Sequence, residues 1–341
     1  MRVAVYYNNR DVRIEERPRP VIGPGEVLIR IEASGICGSD VFEAYRLPRA
    51  PSILGHEIAG VVEETGAGVT RFRAGDRVFA THHVPCGDCH RCRSGHPSTC
   101  ETLRSTRFDP GGFAQYVRVP ALQVERGMLA LPDDLSFEAA SFIEPLGCVV
   151  RGQRAAAFAP GQTVLVVGSG PSGLLHIQLA RANGAARVFA TDVHASRLAA
   201  ARRFGAAAVF AAGDDVPARI RAANDGRLAD RVVACAAALS ALRQALTCVE
   251  PGGTVLFFAP ADPGTELPIP LFDLWRDEVT LTSSYAASGE DLRTSLDLIR
   301  AGRARVGEMI THRLALADAA RGFALTAAAA DSLKVILLPQ R

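Results

Sequence analysis

"TVLVVGSGPSGLLHIQLA", residues 163–180, is the stretch whose reading decides the fold. A valine-rich run ends at Gly168, and an apolar helical segment follows at once. Between them lies G-x-G-x-x-G, with Gly168, Gly170 and Gly173 at the fixed positions and Pro171 and Ser172 inside the motif. The bare pattern is common in turns, and the strand before it and helix behind it give it meaning. Gly168 permits a tight turn, Gly170 lets the backbone approach a pyrophosphate, and Gly173 lets helix and strand pack closely. Pro171 suits the first helical turn, where its missing N–H costs nothing. The free N–H groups of that turn would then face the phosphates. The next strand ends at Asp192, at about the separation expected of the acid that bonds the adenosine ribose. A carboxylate there repels a 2′-phosphate and favours NAD over NADP, while Arg197 is close enough in sequence to reach back to a phosphate.

Outward from this motif, "RVFATD", "RVVACA", "TVLFFAP" and "EVTLTSSY" read as further strands, with helical stretches between the earlier ones. That alternation predicts an α/β domain with a doubly wound parallel sheet over residues 152–286. Residues 1–151 instead show short Val/Ile/Phe-rich runs bounded by Gly, Pro and Asp, such as "EVLIRIEAS", "EIAGVVEET", "DRVFATHHV" and "FAQYVRVP". They predict a β-rich domain, to which residues 287–341 return through "ITHRLAL" and "KVILLP".

Composition narrows the function classes. The 341 residues carry 48% apolar and 22% charged side chains, which is globular and long enough for two cores. A net charge of +2 gives no reason to expect nucleic acid or an acidic membrane as partner. The start lacks an apolar targeting core, and no apolar run approaches the ~18 residues of a membrane span, so a cytoplasmic protein is expected. Lys334 is the only lysine. Chemistry resting on a Schiff-base or P-loop lysine, or on a tyrosine–lysine pair, is therefore disfavoured.

Cysteine placement is the second strong signal. Cys86, Cys89, Cys92 and Cys100, within residues 84–100, follow C-x2-C-x2-C-x7-C, a spacing that lets four thiolates close around one zinc. An iron–sulfur cluster competes, but the chain offers no evident electron partner; a nucleic-acid zinc ribbon would rest on Arg91 and Arg93 alone. A closed site leaves no position for substrate, so this knot reads as structural. A catalytic zinc needs about three protein ligands and an open position. "GICGSD", "LGHEIAG" and "FIEPLGC" supply Cys37, His56 with Glu57, and Glu144 from three separated loops. Each alone has an ordinary explanation as a buried thiol, a turn or a helix start. Their weight comes from occurring together with the knot and the glycine motif.

"GICGSD", "GHEIAGVV", "AGDRV", the four-cysteine lobe, "GGFAQYV", "EPLGCV" and "VLVVGSGPSG" occur in one order along essentially the whole chain. In this the sequence resembles the zinc-dependent medium-chain dehydrogenases/reductases. The resemblance implies a GroES-like catalytic domain split around a Rossmann domain, with the active site in the cleft between them. It implies a catalytic zinc on Cys37 and His56, with Glu144 and an exchangeable Glu57, and a structural zinc on the four cysteines. Glu144, where some members have cysteine, resembles the polyol, sugar and threonine branch, and relatives form homodimers or homotetramers. Zinc lowers the pKa of bound water to roughly 7 and should acidify an alcohol in the same way, readying its carbon to give hydride to nicotinamide. Ser39 is the candidate to bond the reacting hydroxyl and pass its proton outward. Many members carry histidine where this chain has Phe42. The expected activity is NAD-dependent oxidation of a secondary alcohol of a polyol or sugar. An amino-alcohol dehydrogenase is the first alternative, and a non-catalytic NAD-binding regulator the second.

Overall fold

The computed structural model describes residues 1–330 and 332–341. The chain divides into two compact units. One comprises Met1–Gly147, Ala286–Arg300 and Val306–Arg341, the other Cys148–Tyr285 and Ala301–Arg305.

The second unit is a six-stranded sheet. Its order is Ala208–Ala211, Arg187–Asp192, Thr163–Val167, Ala229–Ala234, Val249–Phe257 and Thr280–Ser283. Every neighbouring pair is parallel. The chain begins in the middle of the sheet, runs to one edge, and returns to build the other half, which is the doubly wound order. Thr163–Val167 is buried at all five positions, as a central parallel strand must be. Helices such as Pro171–Ala182 and Leu239–Thr247 connect these strands.

His176, on the helix after the glycine motif, is wholly buried, and neither ring nitrogen has a hydrogen-bond partner. Its ring meets Phe258 edge-on at 4.6 Å. Burial drives its pKa down to about 3, so it folds as the neutral base. The unfolded chain binds a proton at about 6.5 and the folded one does not. Stability therefore falls with falling pH between about 6.5 and about 3, by about 1.4 kcal/mol per unit. His176→Leu should gain on the order of 1 kcal/mol at pH 7, since an unsatisfied buried polar group is removed. Its advantage over the natural chain should widen as the pH is lowered. Denaturation of both proteins at pH 7 and pH 5 tests this, and an advantage that does not grow would contradict it.

The first unit is built on a seven-stranded sheet. Its main path runs Ile310–Ala315, Lys334–Leu338, Val27–Gly35, Glu57–Thr65, Arg77–Ala80 and Met128–Ala130, and Tyr116–Val119 also pairs with Val27–Gly35. Pairing is antiparallel apart from the first two strands. The core on this sheet includes Ile29, Ile31, Ile58, Val62, Val78 and Val117. A separate hairpin joins Arg2–Asn8 to Asp11–Glu16. The "DRVFATHHV" segment stops being a strand after Ala80, and the His83 N–H donates to Thr81 Oγ1 at 3.2 Å. That turn takes His82 and His83 out of the ladder. Among the described residues no helix is long and apolar enough to cross a membrane.

Candidate functional site

Two chain segments of the first unit meet at one place. Val27–Gly35 delivers Cys37, which opens a turn over Gly38–Asp40. The Ser39 N–H donates to Cys37 Sγ at 3.4 Å, and the Cys37 N–H donates to Asp40 Oδ2 at 3.1 Å. Thiol and carboxylate are thereby fixed by their own turn. His56 and Glu57 stand at the start of the neighbouring strand Glu57–Thr65. The ligand atoms of Cys37, His56 and Glu57 all lie within 4.8 Å of one another.

These atoms fit a zinc ion. A thiolate, an imidazole and a carboxylate are the donors a catalytic zinc takes, with one position left open. His56 Nδ1 faces Asp40 Oδ1 at 3.4 Å, which leaves Nε2 as the ligating nitrogen. Glu57 Oε1 is buried with no hydrogen-bond partner, a vacancy in coordination that an ion would fill. Glu144 lies on the first turn of Ile143–Ala155, buried but outside this three-residue group.

The other Glu57 oxygen meets the one lysine. Lys334 Nζ pairs with Glu57 Oε2, donates to Ile36 O at 3.2 Å and lies 5.5 Å above the Phe142 ring. Both side chains are almost entirely buried. Burial pulls the lysine pKa down, but the charges of Glu57 and Cys37, the Glu57 bond and the Glu144 charge together raise it. Gly35 makes room for the pair, because a Cβ there would overlap Glu57 Oε2 and sit 2.8 Å from Lys334 Cε.

Around these three residues stand further side chains. Arg46 donates from Nε to Ser39 O at 2.8 Å and from Nη2 to Ser39 Oγ at 3.1 Å and Asp40 Oδ1 at 3.2 Å. Asp40 is fully buried; burial pushes its pKa up, but His56, Arg46 and the Cys37 N–H outweigh that and hold it low. Phe42 stacks on Tyr45 at 6.4 Å. His82 lies 5.0 Å from the His56 ring and 3.6 Å from the His83 ring. Burial, with the neighbouring histidine and arginine charges, pushes His82 well down and His83 to about 3.

The four-cysteine group is separate. Sγ–Sγ distances are 3.9 Å for Cys86–Cys92, 3.6 Å for Cys89–Cys92 and 3.6 Å for Cys86–Cys100. Four thiolates about 2.3 Å from a central zinc would stand roughly 3.8 Å apart, so the cage has the right size. N–H groups of Cys86 and Cys89 donate to Cys100 Sγ and Cys86 Sγ, each at 3.4 Å. His90 and His96 are exposed and lie outside the group.

Residues 23–133 match the alcohol dehydrogenase GroES-like domain, and residues 171–301 match the zinc-binding dehydrogenase domain. D-xylulose reductase A of Aspergillus oryzae is 31% identical over 92% of this chain and 89% of its own length. The alcohol dehydrogenase TADH from Thermus sp. ATN1 is 31% identical and superposes with a TM-score of 0.88 over 99% of both chains. A solved Sinorhizobium meliloti 1021 protein bound to NADP is 29% identical, with the same TM-score and coverage. The chain is a zinc-dependent medium-chain dehydrogenase.

In this dehydrogenase the glycine motif has the form its cofactor turn needs. Gly168 has φ +94°, and a Cβ on Gly173 would overlap Gly168 O. Gly170 caps the helix Pro171–Ala182, whose first turn carries Ser172 and Gly173. Asp192 is buried and accepts from the Ser169 N–H at 2.8 Å and the His194 N–H at 2.9 Å. The strand end is thus tied to the glycine turn. Arg197 lies over that turn, with a guanidinium nitrogen 3.6 Å from where a Gly170 Cβ would be, and its buried Nε has no hydrogen-bond partner.

Sequence reading missed Asp40, Arg46, His82, His83 and the role of Lys334. Lys334 carried one usable signal, its uniqueness beside so many arginines. "THHV" was read as the end of a strand, which hid the histidines.

Proposed function

We propose that this dehydrogenase oxidises a secondary hydroxyl of a polyol or sugar, with NAD as hydride acceptor. The observation that carries the reading is the convergence of Cys37, His56 and Glu57 within 4.8 Å, next to the Ser39 turn. Zinc held by Cys37 and His56 with Glu144 or Glu57 would supply a Lewis acid that acidifies an alcohol. The remaining work falls to the chain's own groups. Asp40 orients His56 and offsets the Arg46 charge. Arg46 donates to Ser39 Oγ, so the Ser39 hydroxyl is held in place for the proton of the reacting hydroxyl. Phe42 cannot carry that proton further, and it leaves through water, a cofactor ribose hydroxyl or another side chain. A nicotinamide bound at the glycine turn would supply the hydride acceptor, while the Ser39 hydroxyl would take the proton of the reacting hydroxyl and pass it outward.

Gly168, Gly170, Pro171, Ser172 and Gly173 would receive the pyrophosphate, and Asp192 the adenosine ribose. The Asp192 carboxylate supports NAD, and Arg197 is the group that would serve a 2′-phosphate. The polyol assignment draws on the Aspergillus relative's name, since reduction of a ketose carbonyl gives a polyol and the reverse oxidises one. Four cysteines of matching spacing and geometry support the second, structural zinc. Leu271, Phe272 and Trp275 are exposed on a helix near the edge strand Thr280–Ser283. They support a homo-oligomer formed through that edge, which a monomer by light scattering would refute.

The reading is tested by following reduced nicotinamide with polyols, sugars and amino alcohols, each with NAD and with NADP. Polyol turnover with NAD, lost on chelation and restored by zinc, is the expected result. Turnover of amino alcohols alone would replace the substrate class, and preference for NADP would give Arg197 priority over Asp192. No turnover by protein holding two zinc ions would favour a regulator.

A further inference from the structure

We propose that His82 recognises a second hydroxyl of the substrate, adjacent to the one that reacts, with His83 holding its ring in place. The inference deepens the polyol reading and rests on it.

The placement is the first argument. His82 leaves the sheet just after Arg77–Ala80, and its ring stands 5.0 Å from that of the candidate ligand His56. A molecule whose first hydroxyl stood at the Cys37–His56–Glu57 group would bring its neighbouring atoms within reach of His82. The second argument is an open valence. His82 Nδ1 is buried with no hydrogen-bond partner. Such a group is normally satisfied, and leaving it so costs on the order of 1–3 kcal/mol. The third is rigidity, because the ring is wedged between His83, 3.6 Å away and tilted 33° to it, and Phe108 at 6.0 Å.

Chemistry then selects the ligand. A neutral imidazole has one donor and one acceptor nitrogen, and a hydroxyl both donates and accepts. A hydroxyl can therefore meet Nδ1 in either tautomer, whereas an ammonium meets it only as an acceptor and a carboxylate only as a donor. A simple secondary alcohol offers nothing to His82 and leaves its nitrogen orphaned. A site built to bond a hydroxyl discriminates strongly against the analogue that lacks it.

The test compares butane-2,3-diol with butan-2-ol, using the zinc-loaded full chain, His82→Phe and His82→Asn. The natural protein should favour the diol in kcat/KM by about 10-fold or more. His82→Phe should erase that ratio, while His82→Asn, which keeps a donor and an acceptor, should restore part of it. Zinc content is measured in all three to show that the metal group survives. Independently of turnover, protein labelled with 15N in its eight histidines should show one imidazole resonance, absent from His82→Phe, that shifts with the diol and not with butan-2-ol. Equal use of both alcohols by the natural protein, or an undiminished preference in His82→Phe, would overturn the inference and leave alcohol oxidation standing. Failure of the zinc-loaded protein to oxidise either alcohol would overturn the polyol reading and the inference with it.

Discussion

Replacing Lys334 by methionine should lower stability by about 3–5 kcal/mol, the cost of leaving one partner of a buried ion pair alone. Lys334 and Glu57 are almost wholly buried, so solvent screens the pair little. Methionine keeps most of the stem volume and removes only the charge. Glu57 then keeps a buried carboxylate whose Oε2 has lost its charged partner. The double replacement Lys334→Met with Glu57→Gln should recover much of the loss, because it removes both charges. Denaturant midpoints of the zinc-loaded proteins measure it. A single variant as stable as the natural chain, or a double variant that falls further by the full cost of a second lesion, would show that the pair does not hold this site.

Cys92→Ser should have a different signature. Zinc in a closed thiolate site contributes folding free energy directly, on the order of 10 kcal/mol in small zinc domains. Losing one of four ligands should therefore release one zinc ion and loosen residues 84–100, seen as new protease cleavage within that lobe. The parallel-sheet unit keeps its own core and should melt as before. A lobe that stays protease-resistant with one zinc lost would contradict a structural role.

How much of this was legible before folding depends on how local each feature is. The parallel sheet was readable because strand, glycine turn and helix are consecutive, and the Gly168 and Gly173 conformations follow from the motif itself. The cysteine knot was readable for the same reason. Cys37, His56 and Glu57 could be named only as a set, because pairing between Val27–Gly35 and Glu57–Thr65 is what joins them. Lys334 is 277 residues from Glu57, and no local pattern announces that meeting. It follows from Lys334–Leu338 pairing with the far end of Val27–Gly35. His82 was concealed by a strand pattern that continues in the sequence and stops in the structure at Ala80. Glu144 was chosen as a ligand from its place in "FIEPLGC" beside the other candidates; its helix start is buried, and the three converging ligand atoms come from Cys37, His56 and Glu57.

The central claim is that Cys37, His56 and a glutamate hold the working zinc while the knot only staples its lobe. Zinc content and alcohol turnover of Cys37→Ser, beside the natural protein, test it most directly. The account predicts two zinc ions falling to one, an unchanged fold by circular dichroism, and turnover reduced to background. A Cys37→Ser protein that keeps both ions and its activity would contradict it.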